Sequence, residues 1–285
     1  MSARLLTSKD AQPVRDAALA ELRQLAAPPN VVAVHNPESP AARYYMRAQK
    51  KTCAEAGVGY EVRSLESGWT QARIVELIRD LNRDPQVSGI TVHTPLPTGV
   101  DQDAVMSAIL PSKDIEGIHP ENLGRLAFGG HRPAPCAASA AVELARIART
   151  SFKGLDAVVV GRSALVGKAI ALLLLQSKAD APTPTLCHTA TADLAVHTRR
   201  ADLLFAAAGR AGLIRGDMIK KGAVVIDVGI NETKDGKLVG DVAFDEAKEV
   251  AGVITPVPGG VGPVCHSILL RNIAACARKA AAPAG

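Results

Sequence analysis

The stretch VVVGRSALVGKAI, residues 158–170, runs from three β-branched residues into Gly161 and then through a short turn into a helix-forming run. A buried strand that delivers the chain to a helix N-terminus suits a phosphate. The first helical amides lack backbone partners, the helix end is partly positive, and small residues let the backbone come close. The stretch is not a Walker A loop, because five residues rather than four separate Gly161 from Gly167, and Ala169 stands where a magnesium-binding hydroxyl belongs. Nor is it a strict G-x-G-x-x-G, since Ser163 takes the second glycine position and the turn is one residue longer. Read alone, the turn also suits an unliganded strand-to-helix connection. Its continuation favours a nucleotide. The next β-rich run, TPTLCH (183–188), leads into Thr189 and offers no acid to receive a ribose 2′-hydroxyl, while Arg162 sits in the first turn. NADP, with its 2′-phosphate, therefore fits better than NAD.

Working outward, short β-branched runs alternate with longer amphipathic stretches, the pattern of βα units on a mostly parallel sheet. NVVAVHN (30–36), YEVRSL (60–65) and GITVHTP (89–95) read as strands, with helices over 40–57 and 69–84. After the proline-rich HRPAPCAAS (131–139) comes a helix over 140–149 and a second series. DAVVVG (156–161), TPTLCH, ADLLFAAAG (201–209) and AVVIDVGI (223–230) are its strands, and 166–176 and 191–200 its helices. The expected fold is therefore α/β with two α/β lobes and a cleft between them, the second lobe a Rossmann-like parallel-sheet dinucleotide-binding domain. ETKDGKLVGD (232–241) carries an Asp-Gly turn between polar and apolar arms and predicts a small hairpin. The Ala/Pro-rich end RKAAAPAG (278–285) is expected to fray.

Composition narrows the function class. With 285 residues, 47% of them apolar, the chain can bury two cores. The longest aliphatic run, AIALLLL (169–175), is far short of the roughly 20 residues of a membrane helix, and the N-terminus lacks the apolar run of a signal peptide. Five scattered cysteines without a C-x-x-C pair suggest neither a disulfide framework nor a metal site, and imply a reducing cytoplasm. The net charge of +5 is spread over short mixed runs, and only 3% of residues are aromatic, which disfavours nucleic acid and favours a solvated basic face, with anionic small molecules as the next reading.

Several motifs then converge. KDIEGIHPENLGRL (113–126), the 158–175 stretch, CHTAT (187–191), GAVVIDVGIN (222–231), GDV (240–242) and TPVPGGVGP (255–263) together resemble the bifunctional methylenetetrahydrofolate dehydrogenase/cyclohydrolase (FolD) family of one-carbon metabolism. The resemblance implies a folate-binding catalytic domain over 1–138 completed by a C-terminal helix over 264–285, an NADP-binding domain over 139–263, folate in the cleft, and a homodimer. It places the NADP contacts on Gly161, Arg162, Ser163, Thr189 and Ile230, the last through its backbone. Pro258, Gly259 and Gly260 would pass close to the folate.

The family's centre, a tyrosine, a lysine four residues later, a glutamine and an aspartate, is altered here. Anchored on KKTCAEAGV (50–58), the tyrosine matches Tyr45 of YYMRAQKKTC (44–53), but the lysine becomes Gln49. The glutamine becomes His93 of VHTPLP (92–97), and the aspartate becomes Glu116 of KDIEG. PCAAS (135–139) also lacks the usual Thr-Pro, and three residues near ESP (38–40) are inserted. In a helix Tyr45 and Gln49 share a face while Lys50 and Lys51 turn away. Tyr45 and Glu116 are the expected pterin contacts. Hydride transfer needs positioning and no protein nucleophile, whereas hydrolysis of the methenyl cation needs a group that exchanges protons, which an amide cannot do. The expectation is an NADP-dependent dehydrogenase with weak or absent cyclohydrolase activity. Two alternatives stand beside it: a fully bifunctional enzyme in which His93, with an ordinary pKa near ~6.5, carries protons, and a silent folate- or NADP-binding protein.

Overall fold

The computed structural model of the chain describes residues 2–130 and 132–281; the last four residues of the Ala/Pro-rich end lie outside them. The chain begins with β1 (Arg4–Leu5), α1 (Gln12–Arg23), β2 (Asn30–His35), α2 (Pro40–Glu55), β3 (Gly59–Ser64), α3 (Gln71–Arg83) and β4 (Gly89–His93). It continues through α4 (Gln102–Met106), α5 (Pro120–Ala127), α6 (Cys136–Ala148), β5 (Asp156–Val160), α7 (Ala169–Leu174) and β6 (Thr183–Cys187). The remainder is α8 (Leu194–Thr198), β7 (Leu203–Ala206), β8 (Val224–Asp227), β9 (Asn231–Glu232), β10 (Leu238–Val239), α9 (Phe244–Ala247), β11 (Val253–Ile254) and α10 (Val261–Ala281).

These elements form two compact units, one of Met1–Arg15 with Pro135–Cys265, the other of Asp16–Ala134 with His266–Gly285. The first holds a six-stranded, wholly parallel sheet in the order β1-β11-β8-β7-β5-β6. The first fifteen residues thus group with this sheet and not with the folate domain expected over 1–138. The physical reason is that Arg4 and Leu5 pair in parallel with Val253 and Ile254. Leu6 follows, fully buried, and donates its amide to the Ile254 carbonyl. Val158, Val160, Cys187, Leu204, Ala206, Val225 and Ile254 supply the sheet's share of one core cluster. The predicted hairpin is present as the antiparallel pair β9–β10. The helix expected over 166–176 begins earlier, as a π-helical turn at Ala164–Lys168 that leads into α7.

The second unit is a three-stranded parallel sheet in the order β3-β2-β4. Strict alternation separates its two faces. Val32, Val34, Ile90 and Val92 join Ile74, Ile78 and Leu81 of α3 in an apolar core. The spacing of those three helical residues, four and then three, forms one stripe, and Thr70 caps the helix by accepting the Arg73 amide. The opposite face carries Val31, Ala33 and His35 of β2 with their register partners Gly89, Thr91 and His93 on β4 and Tyr60, Val62 and Ser64 on β3. The chemistry-bearing side chains are on this second face. Among the described residues, no helix is long and apolar enough to cross a membrane.

Candidate active site

Gln49 lies on α2 and is nearly buried, while Lys50 and Lys51 are exposed, as the helical spacing requires. Its Nε2 donates to Glu116 Oε1 at 2.6 Å, and its Oε1 accepts from the Tyr60 hydroxyl at 3.2 Å. The same hydroxyl lies 2.9 Å from His93 Nε2. Thr91, two residues before His93 and therefore on its face of β4, donates its hydroxyl to Glu116 Oε1 at 3.2 Å. Gln49, His93 and Glu116, far apart in the chain, thus join one hydrogen-bonded cluster. Tyr60 and Thr91 complete it. Sequence reading placed Tyr60 only within a strand, and the one available signal was a lone polar ring at the start of YEVRSL. Tyr45, one turn before Gln49, is half-exposed.

The cluster is held by buried charges that are themselves structural. Lys113, buried, donates to the carbonyls of Leu81 and Asp84. Asp114 accepts the amides of Gly117 and His119 and the Asn122 side chain, which ties the turn bearing Glu116 to the start of α5. From α10, Asn272 donates to the carbonyls of Ile115 and Ala134. A charge-to-backbone anchor of this sort leaves Glu116 little freedom to follow a ligand.

Burial sets the protonation of the cluster. It pulls the His93 imidazole down to about 4, with nearby His35 adding to the effect. The ordinary value expected for His93 is thereby corrected: the ring is neutral near pH 7, because the buried face cannot solvate an imidazolium. Burial lowers His35 as well, with Arg43 contributing. The Tyr60 phenol is pushed far upward by burial and by Cys53 and Glu116, so it stays protonated. Cys53, one turn beyond Gln49, is raised to about 12 by burial and is no nucleophile. Among the described residues, no group of three or more His, Cys, Asp or Glu could hold a metal ion.

In the six-stranded unit, β5 neighbours β6 on one side and β7 on the other, and this reversal of strand order is where a parallel sheet opens a crevice at its carboxyl ends. Gly161 ends β5 there with φ +127°, and a Cβ on it would lie 2.0 Å from the Ala207 carbonyl oxygen. A Cβ on Gly167 would lie 2.0 Å from the Gly161 carbonyl oxygen, so both glycines let the turn fold down onto the sheet. Arg162, Ser163 and Thr189 are exposed around it, and Ile230 is half-exposed beyond β8. The first acid after β6, Asp193, is engaged in accepting the Ala195 and Val196 amides at the start of α8. No carboxylate thus competes for a 2′-phosphate, and the residues fit NADP.

Two aspartates that sequence reading passed over explain the GAVVIDVGIN and GDV motifs. Asp241 accepts the amides of Ala208, Gly209 and Arg210 and the Asn231 side chain. Asp227 accepts those of Gly229, Asp241 and Val242, and burial with the Asp241 charge raises it to about 7. They join the loop after β7 to the turn carrying Ile230. Pro258, Gly259 and Gly260 belong to this same unit, where the Gly259 carbonyl accepts the Ser8 amide and the Gly260 amide donates to Pro256.

Residues 5–116 match the family model described as tetrahydrofolate dehydrogenase/cyclohydrolase, catalytic domain, and residues 135–281 match its NAD(P)-binding domain. The bifunctional protein FolD of Brevibacillus brevis is 43% identical over 286 residues, covering 99% of each chain. The crystal structure of the bifunctional FolD enzyme from Campylobacter jejuni, 36% identical, superposes with a TM-score of 0.91 over 98% of this chain and 99% of that one. The Trypanosoma brucei FolD structure, complexed with NADP cofactor and an inhibitor, is 34% identical, with a TM-score of 0.88 over 98% of both chains.

Proposed function

The chain belongs to the tetrahydrofolate dehydrogenase/cyclohydrolase family, and from that premise we propose that it is a bifunctional, NADP-dependent enzyme of one-carbon metabolism. It oxidises 5,10-methylenetetrahydrofolate to the methenyl cation and then hydrolyses that cation to formyltetrahydrofolate. When bound, NADP supplies the hydride acceptor. Gly161, Arg162, Ser163 and Thr189 hold the nucleotide, the backbone of Ile230 meets its nicotinamide amide, and Tyr45 and Glu116 orient the pterin, with Pro258, Gly259 and Gly260 along the folate. The enzyme works as a homodimer in the cytoplasm.

The observation that carries the second activity is the place of His93 beside the Gln49–Glu116 cluster, its Nε2 2.9 Å from the Tyr60 hydroxyl that also meets Gln49. Water adding to the methenyl carbon must lose two protons. One ends on the ring nitrogen as the carbon–nitrogen bond opens, and the other leaves to solvent. An imidazole has a nitrogen that exchanges protons and can pass one on transiently, even where burial makes it a weak base, whereas the Gln49 amide cannot. The weak or absent hydrolysis expected from Gln49 alone gives way to this reading, supported by relatives 43–47% identical that bear the name of a bifunctional protein. With an amide at 49 and an uncharged imidazole at 93, neither side chain places a like charge beside the cation.

One assay tests both steps, following NADPH formation and methenyl absorbance together. The expected course is NADPH formation without accumulation of the methenyl species beyond its non-enzymatic lifetime. Steady accumulation at the rate of NADPH formation would instead return the chain to a dehydrogenase alone, and no NADPH at all would leave a binding protein.

A further inference from the structure

Glu116, when ionised, accepts hydrogen bonds and donates none, so the Gln49 amide must turn its nitrogen toward Glu116 and its oxygen toward Tyr60. An amide oxygen also only accepts. The single proton of the Tyr60 hydroxyl is therefore committed to Gln49, and the phenolic oxygen is left to accept from His93 Nε2 at 2.9 Å. Donation then runs one way along the array, from His93 to Tyr60 to Gln49 to Glu116, and ends on a carboxylate. The imidazole proton sits on Nε2, and Nδ1 is the basic nitrogen.

The geometry points to Tyr60 as a positioning residue of this centre, one that sets the tautomer of His93 and so decides which ring nitrogen exchanges a proton. The role rests on the bifunctional reading for its consequence in hydrolysis, though the tautomer itself does not. Tyr60 accepts from Nε2–H whether or not Nδ1 is protonated, so the ring keeps its place through a full cycle of proton gain and loss. Other groups around the ring and its array are His35 on β2, edge-on with ring centroids 6.4 Å apart, Cys53 on α2, and Glu116 beyond β4. His35 Nδ1 is buried without a hydrogen-bond partner. Among the hydrogen bonds described above, only the Tyr60 hydroxyl joins His93 to the carboxylate end of the array.

Two variants read out the role. Tyr60→Phe keeps the ring and deletes the hydroxyl. Gln49→Met keeps the volume but removes the acceptor that commits the Tyr60 proton. In the native protein, ¹⁵N NMR of labelled histidine at pH 7, assigned with His93→Gln, should show His93 protonated at Nε2 and bare at Nδ1. Gln49→Met should free the Tyr60 proton for Nε2 and move the imidazole proton to Nδ1. Tyr60→Phe should give a mixture of tautomers and lower the ratio of hydrolysis to NADPH formation by about 10-fold, less than the roughly 10²- to 10⁴-fold expected for loss of the proton carrier itself, because part of the population keeps the productive tautomer. Melting curves check that each variant is folded. A native His93 protonated at Nδ1, or tautomers unmoved by both variants, overturns the proposal. If the native protein proves unable to hydrolyse the methenyl cation, the bifunctional reading falls while the NMR result still decides the role of Tyr60.

Discussion

Replacing Glu116 by glutamine changes one charge and almost no volume, and its cost follows from the two donors that meet Oε1. The bond from Gln49 at 2.6 Å is short for an N–H···O contact and is charge-assisted; that from Thr91 at 3.2 Å is longer. Exchanging a charged acceptor for a neutral one lowers the worth of the first by about 1 kcal/mol. If the new amide turned its nitrogen toward Gln49, two donors would face each other, and the unsatisfied groups would cost about 1–3 kcal/mol. The melting midpoint should therefore drop by roughly 2–8 °C. Under the proposed role of Glu116 folate should suffer more, because the pterin amino group and ring N–H would lose a carboxylate that can accept both. That difference of about 1.5–3 kcal/mol raises the folate KM by roughly 10- to 100-fold. The Asp227–Asp241 network and the turn at Gly161 lie in the other unit, so the KM for NADP should change little. Initial rates with each substrate varied in turn are the assay. An unchanged folate KM, or equal losses for folate and NADP, would refute the placement of Glu116 against the pterin.

Arg162→Ala should erode the preference for NADP over NAD by about one to two decades in kcat/KM while sparing NAD, and equal use of both nucleotides by the native protein would refute the role of Arg162. His93→Ala should lower hydrolysis by roughly 10²- to 10⁴-fold while hydride transfer persists, so the methenyl species should accumulate in a continuous absorbance assay. Burial of neutral His93 also predicts a pH-dependent stability. Between its folded value of about 4 and its ordinary 6.5, the unfolded chain binds the extra proton, so the contribution is fully present above 6.5 and is lost as pH falls toward 4. The loss amounts to about 3 kcal/mol, and it should vanish in His93→Gln when urea unfolding is compared at pH 7 and 4.5. Asp227, raised to about 7, acts in the opposite sense, its stabilisation by protonation fading as pH rises from 3.8 to 7. The His93 effect must therefore be read as the difference between native and His93→Gln.

The alternation of strands and helices was legible in the residues because its causes are local. Runs such as Val158–Val160 suit a buried strand, Ile74, Ile78 and Leu81 recur at helical spacing, and Asp235-Gly236 makes a tight turn. The nucleotide turn was legible for the same reason, since a strand, a glycine and a helix start adjoin in sequence. Gln49, His93 and Glu116 could also be singled out along the chain. Their meaning could not. Arg4 and Leu5 are too short a run to announce a strand, and only the exposed edge of β11, some 250 residues later, makes them one. Tyr60 reads as one more residue of a β-rich run until β2, β3 and β4 pair in register and α2 lays Gln49 over the same face. Protonation was least legible of all, because a histidine's basicity depends on the solvent it loses, and His93 loses nearly all of it when that face closes. Pairings distant in sequence and the desolvation they bring are collective properties of the packed chain, so only the tertiary structure could decide them.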